Sequence, residues 1–340
     1  MSNSINIGIA GLGTIGCGVV NNLLRNKESL KEKYGLDFEI IGVSASNKNK
    51  KRSINLEDFN WYDDPIDLAK DNNIDLVIEL VGGEKGIAYD LAIETINNKK
   101  GFITANKALL STNGKILSEL SCKNNVFFGY EAAVAGGIPI IKTLKSGLFL
   151  DKINNIFGIL NGTSNFILSR MNSANKSFED ALSEAQELGY AEADPSFDIN
   201  GMDAAHKLSI LSAISFGEFP SLENTSVTGI EKIQTIDHKY AKEFGYKIKL
   251  IGKSSLIEGN ISKEISPMLV KEDGSLGTVE GVSNVVCVNT DHNGTLILEG
   301  EGAGEGPTSA SVLSDIVDFA QGIKGHLFNK SFDDLYDSTN

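Results

Sequence analysis

Residues 189–207 read GYAEADPSFDINGMDAAHK, which puts Glu192, Asp194, Asp198 and Asp203 in one short stretch ending on Lys207. Carboxylates this close repel one another unless a cation is held among them. Asp203 and Lys207 are four positions apart, so on a helix they share a face. In water such a pair is an ordinary surface ion pair worth about 0.3–0.5 kcal/mol, and Asp194-Pro195 and Asp198 are turn residues. Crowded by acids, the same lysine gains a second use. Carboxylates grip a ligand's ammonium group, and the lysine moves a proton to or from a ligand oxygen. Burial lowers a lysine's proton affinity and adjoining carboxylates raise it, which makes this residue tunable for acid–base work.

The second chemical signature is GLGTIG, residues 11–16. It follows an apolar run, INIGIAG, and opens a helical pattern, which is the setting a dinucleotide-binding turn requires. Gly11 permits the tight turn, Gly13 lets a pyrophosphate approach the backbone, and Gly16 allows close helix–strand packing. Thr14, Ile15 and Gly16 begin the helix, whose unpaired N–H groups favour an anion. An acid closing the second strand would select NAD by binding the ribose 2′-OH. Here that strand runs into SASNKNKKRS (44–53), where Ser44 and Ser46 are small donors and Lys48, Lys50, Lys51 and Arg52 suit a 2′-phosphate. The reading leans to NADP, with NAD as the alternative.

Other elements must position these two stretches. Over the first 130 or so residues apolar runs (5–11, 38–46, 75–82, 101–105, 126–134) alternate with helical patterns (14–26, 87–100, 107–120). That order predicts an α/β Rossmann domain, a doubly wound parallel sheet, over residues 1–135. GGIPIIKTLKSGLF (136–149) reads as a helix across the boundary, 152–161 as a strand, and 164–172, 177–188 and 200–216 as helices. Asn200 or Asp198 can cap the last of these, with Ala204, Leu208, Leu211 and Ile214 along its core face. Residues 247–300 alternate like strands, so 136–307 is expected to be an α+β domain with a largely antiparallel sheet, the part that the resemblance given below makes the catalytic and dimerisation domain. The amphipathic pattern at 308–322 lies in a segment, 308–325, expected to return to the Rossmann domain.

Composition narrows the function. With 31 Lys and Arg against 45 Asp and Glu, the formal charge of −14 argues against nucleic acid or an anionic membrane as partner. No apolar run approaches the roughly 18 residues of a membrane span, and the N-terminus lacks the pattern of a signal peptide. Cys17, Cys122 and Cys287 are in no ligand or disulfide pattern, so a cytoplasmic protein is expected. They also sit in no evident catalytic setting, which disfavours an acylating semialdehyde dehydrogenase. A kinase would need a phosphate loop ending in G-K-[ST], which is absent. Another amino-acid dehydrogenase, or a non-catalytic NADP-binding sensor, stays open on this evidence.

Residues 185–207, AQELGYAEADPSFDINGMDAAHK, resemble the signature A-x3-G-Y-A-x2-D-P-x2-D-I-x-G-x-D-x3-K of homoserine dehydrogenases. The resemblance extends to TANKALL (104–110), YEAAVAGGIPII (130–141), NGTSNFIL (161–168) and GEGPTSASVLSDI (304–316), and spans about residues 5–325. It implies NADPH- or NADH-dependent reduction of L-aspartate 4-semialdehyde to L-homoserine, on the route to threonine, isoleucine and methionine. By similarity Lys207 is the general acid/base, Glu192 and Asp203 hold the substrate's amino group, and Asp198 supports them. Lys107 would act where cofactor and substrate meet, and Gly306 would contact the cofactor. Glu131, Val134, Gly136 and Ile138 resemble a monovalent-cation loop, sodium for example, built on backbone carbonyls. A homodimer through the second domain's sheet is implied. Family members with an additional regulatory domain bind amino acids there; this chain resembles the short form, so feedback through such a domain is not expected.

Overall fold

The computed structural model describes residues 4–148, 150–323 and 327–328. The chain divides into one unit running to Pro139 and resuming at Gly304, and a second unit, Ile140–Ala303, inserted in it. These breaks lie at 139/140 and 303/304, against the expected 135/136 and 307/308. Of the 308–325 segment, residues 324 and 325 lie outside the described residues.

In the first unit the strands are β1 (Ile5–Ala10), β2 (Phe38–Ser44), β3 (Asn60–Tyr62), β4 (Leu76–Glu79), β5 (Gly101–Thr104) and β6 (Phe128–Gly129). All pairs are parallel in the order β3-β2-β1-β4-β5-β6, so strand order reverses between β1 and β4, where such folds bind dinucleotides. The helices α1 (Thr14–Tyr34), α2 (Ile66–Lys70), α3 (Ile87–Asn97) and α4 (Lys107–Asn124) connect them. Ile7, Ile9, Val19, Leu23, Val43, Leu76 and Ile78 meet in a core that also takes Val312 and Ile316 from the helix Glu305–Ala320. That helix lies on α1: Asn22 Nδ2 donates to Ser309 Oγ at 2.7 Å, and a Cβ on Gly18 would overlap the Glu305 side chain. Farther on, the Tyr130 hydroxyl donates to the carbonyl of Leu327.

The strand expected over 126–134 stops at Gly129 and gives way to a 3-10 turn, Glu131–Ala133. The reason is a tertiary bond: the Glu131 N–H donates to Asp315 Oδ2 at 2.9 Å, and Asp315 crowds against Gly129.

The second unit holds β7 (Ile153–Ile159), β8 (Thr225–Val227), β9 (Tyr246–Ile257), β10 (Asn260–Lys271), β11 (Ser283–Thr290) and β12 (Gly294–Glu301). They form one sheet, β12-β11-β7-β9-β10-β8, antiparallel except where β8 pairs with β10. Its helices are α5 (Ile140–Lys142), α6 (Gly162–Ala174), α7 (Phe178–Glu187), α8 (Ser196–Ile199), α9 (Met202–Phe216) and α10 (Thr235–Glu243). Instead of one helix over 136–149, only α5 and a π turn, Thr143–Gly147, appear. The Gly-Gly pair and Pro139 cannot supply the first turn's helical backbone and donors; Phe149 lies outside the described residues.

Among the described residues no helix is long and apolar enough to cross a membrane.

Candidate active site

The acidic stretch builds a buried cluster in the second unit. Gly201, with φ of 86°, turns the chain into α9, and the Asn200 side chain accepts from the N–H of Met202 at 2.9 Å. Ala204, Leu208, Leu211 and Ile214 are buried as their spacing predicts, but so are Ala205, Ile210 and Ala213, so α9 is enclosed on all sides. Asp203 and Lys207 are therefore inside, 3% and 9% exposed, rather than forming a surface pair. The Lys207 ammonium donates to Asp203 Oδ2 at 2.7 Å and to the Leu160 carbonyl, just past β7, at 2.8 Å. Removing one member of such a buried pair typically costs about 3–5 kcal/mol, because the other charge is stranded.

A residue to which the sequence assigned no role ties this cluster together. Asn161 caps α6 by accepting from the Ser164 N–H at 2.8 Å, while its amide donates to Asp198 Oδ1 at 2.7 Å and Asp203 Oδ2 at 2.8 Å. The available signal was Asn-Gly ahead of a helical pattern, an N-cap mark. Asn284 Nδ2 reaches the same Leu160 carbonyl at 3.2 Å. So Asp198, Asp203 and Lys207 are brought together. Glu192 is not: it lies exposed, and its side chain forms no hydrogen bond or ion pair with the described residues. Asp194 behaves as turn chemistry, accepting from the Ser196 N–H at 3.1 Å; bonds from Ser196 lower its carboxyl pKa.

The glycine turn in the first unit has the shape a dinucleotide needs. Gly11 has φ of 98°, donates to the Ser44 carbonyl at 2.9 Å, and leaves no room for a Cβ against the backbone of Leu80. A Cβ on Gly16 would overlap the Gly11 carbonyl oxygen, whereas one on Gly13 would meet nothing within 4 Å. That open position faces the start of α1, where the N–H groups of Thr14, Ile15 and Gly16 have no intrahelical partner. At the end of β2, Ser44 Oγ is buried and unbonded. Beside it Arg52 donates to the carbonyls of Leu12, Asn47, Lys48 and Lys50 and stacks on Trp61, as does Lys48. Those acceptors are neutral and leave the guanidinium charge uncompensated.

Lys107 is the first residue of α4, behind the N-cap Asn106, whose side chain accepts from Leu109 N–H at 3.0 Å. A cation at a helix start opposes the dipole. Gly306 is exposed in the first turn of the 305–320 helix with open space around it. Glu131, Val134, Gly136 and Ile138 are buried on a loop where Ala135 and Gly136 have φ of 56° and 48°. The Ser311 hydroxyl donates to the Gly136 carbonyl at 2.6 Å. The described residues hold no metal-binding group of three or more His, Cys, Asp or Glu, so a cation here would be held by carbonyl oxygens.

Comparison with known proteins finds relatives over both units. The model of the family described as homoserine dehydrogenase matches residues 139–317, and that of the homoserine dehydrogenase NAD binding domain matches residues 11–131. Homoserine dehydrogenase of Neisseria gonorrhoeae is 44% identical over 93% of this chain and 72% of its own length. The crystal structure of a homoserine dehydrogenase from Thiobacillus denitrificans superposes with a TM-score of 0.90 at 41% identity, covering 94% of this chain and 74% of that one. A hyperthermophilic archaeal homoserine dehydrogenase in complex with NADPH gives a TM-score of 0.80 at 25% identity, covering 96% of this chain and 100% of the other.

Proposed function

This chain belongs to the homoserine dehydrogenase family, and we propose that Lys207 is the proton carrier of its reaction. The enzyme is an oxidoreductase that interconverts L-homoserine and L-aspartate 4-semialdehyde with a nicotinamide cofactor, in amino-acid biosynthesis. The observation that carries the lysine's role is its bonding. Two of its three N–H groups are fixed on Asp203 and Leu160, which leaves the third for a ligand oxygen. Bound nicotinamide supplies the hydride in one direction and accepts it in the other. As the aldehyde carbon becomes an alcohol carbon, Lys207 gives its proton to the developing alkoxide; in reverse the neutral amine takes it back. A positioned donor at such an oxyanion is typically worth about 3–4 kcal/mol.

Asp203, steadied with Asp198 by Asn161, holds the substrate's ammonium from inside the cluster, and Glu192, exposed on the same 189–207 stretch, holds it from the solvent side. Lys107 contacts both cofactor and substrate, which supports a charge where the helix alone disfavours one. Gly11, Gly13, Thr14, Ile15, Gly16 and Gly306 hold the dinucleotide. NADP is the preferred form: an orphaned Ser44 hydroxyl and the uncompensated charge of Arg52, Lys48, Lys50 and Lys51 suit a 2′-phosphate, and no acid closes β2. A monovalent cation such as sodium occupies the carbonyls of Glu131, Val134, Gly136 and Ile138, consistent with the left-handed turn there.

The chain pairs as a homodimer through the second unit's sheet. Supporting this, Ile297 on β12 and Leu269 on β10 are 49% and 61% exposed. Three free cysteines suit the reducing cytoplasm, where pyridine nucleotides turn over. The test is oxidation of NADPH, then NADH, by purified protein with L-aspartate 4-semialdehyde, and the reverse with L-homoserine. Turnover faster with NADPH is expected; absence of turnover with both cofactors would overturn the reading.

A further inference from the structure

A buried carboxylate that the reaction above does not use sits at the strand reversal of the first unit. Glu79 is the last residue of β4 and is 0% exposed. Its Oε1 accepts from the N–H groups of Val81 at 2.7 Å and Gly82 at 2.9 Å, and its Oε2 accepts from the Thr104 hydroxyl at 2.6 Å. Thr104 Oγ1 also receives the Asn106 N–H at 2.9 Å, and its own hydrogen is left to point at Glu79. Each Glu79 oxygen is thus met by a donor, which is the bonding of a carboxylate. None of the ion pairs among the described residues includes it.

Buried charge is expensive, and three neutral donors offset it only in part. The location suggests why it is kept. β4 opens the second half of the 3-2-1-4-5-6 sheet. In such folds each half takes one mononucleotide of the ligand, and the glycine turn after β1 serves the adenosine side. The other half, led by β4 and β5, therefore faces the nicotinamide end. Glu79 and Thr104 end these two strands, and Leu80, which follows Glu79, lies against Gly11 of the turn. The nicotinamide ring carries a positive charge when oxidised and none when reduced. A fixed anion beside its half of the sheet distinguishes those states.

We propose that Glu79 is an electrostatic positioning residue that makes the site favour oxidised over reduced nicotinamide cofactor, while its two backbone bonds shape the Val81–Gly83 loop. Its effect on the pyrophosphate is the same in both redox states and cancels in their ratio. The proposal rests on the nicotinamide reading of the glycine turn, and the experiment separates the two.

Dissociation constants for NADP+ and NADPH are measured by calorimetry on the wild-type protein, Glu79→Gln and Thr104→Val. Gln keeps the shape: its oxygen still accepts from Val81 and Gly82, and its amide faces Thr104, whose hydroxyl turns. The ratio Kd(NADPH)/Kd(NADP+) is expected to fall about tenfold in Glu79→Gln, the effect of a unit charge across roughly 10 Å at an effective dielectric constant near 20. Thr104→Val removes a donor but keeps the charge, so the wild-type ratio should persist or rise, whatever happens to the two affinities. An unchanged ratio in Glu79→Gln overturns the proposal. So does a fall in Thr104→Val, which would make loop geometry the cause, and that variant decides alone if Glu79→Gln does not fold. Failure of the wild-type protein to bind either form would instead remove the cofactor reading itself.

Discussion

Lys207 and Asn161 define what single side chains do in the acidic cluster. Replacing Lys207 with alanine is expected to lower kcat by about 10²–10³, the usual cost of one oxyanion-stabilising donor, with the dissociation constant of NADPH unchanged. Stopped-flow turnover and a binding titration check both halves. Asn161→Ala should lower kcat/KM for homoserine and remove about 1 kcal/mol of stability with the helix cap. Asn161→Asp separates the two effects: aspartate caps as well as asparagine, but it cannot donate to Asp198 and Asp203 and adds a third like charge. Thermal denaturation should find the cap restored while kcat/KM stays low; recovery of activity would confine Asn161 to a structural part. The Asp203–Lys207 pair was legible because both residues belong to one helix and its period is known. Asn161 was not, since it acts on Asp203 across 42 positions, a distance over which local pattern carries no information.

At the level of elements, β1, its turn and α1 were read from residue order alone, because each glycine there answers a local steric demand. Two substitutions show the difference. Gly16→Ala places a methyl group on the Gly11 carbonyl, and is expected to lower the melting temperature and abolish cofactor binding together. Gly13→Ala meets open space, so the fold should keep its stability while affinity for NADPH drops at least about tenfold through lost approach of the pyrophosphate. Differential scanning fluorimetry with and without cofactor distinguishes them. Elements of three to five residues such as β3, α2 and β8 escaped because they span too few repeats for a hydrophobic period to show. The strand expected over 126–134 failed for the opposite reason: its β-rich composition was real, but Asp315 claimed the Glu131 N–H.

For the molecule as a whole, the second unit's stability carries a pH signature. Lys249 is 1% exposed and donates to Asn165 Oδ1, Ser169 Oγ and the Val279 carbonyl. Burial pushes its ammonium pKa down to about 8, although Glu280 nearby pulls it up. The unfolded chain holds that proton until about pH 10.4. Between the two values the unfolded state binds more protons, so stability rises with pH, and below about pH 8 the penalty is fully present. Chemical denaturation at several pH values should show this rise in the wild-type protein, up to roughly 3 kcal/mol, and its loss in Lys249→Met. Parallel slopes for both proteins would assign it to other groups.

The same whole-molecule view gives weight to the order in which the units are threaded. The first unit's core needs Val312 and Ile316, and α1 needs Ser309, yet these follow the entire insertion of residues 140–303. On the ribosome, then, the nucleotide-binding half emerges first and must wait until residues 140–303 and the helix after them have been translated before it can finish folding. The inserted half, contiguous in sequence, has everything it needs earlier. The part made first is completed last, and nascent-chain proteolysis should find it open to cleavage until residues 305–320 leave the exit tunnel.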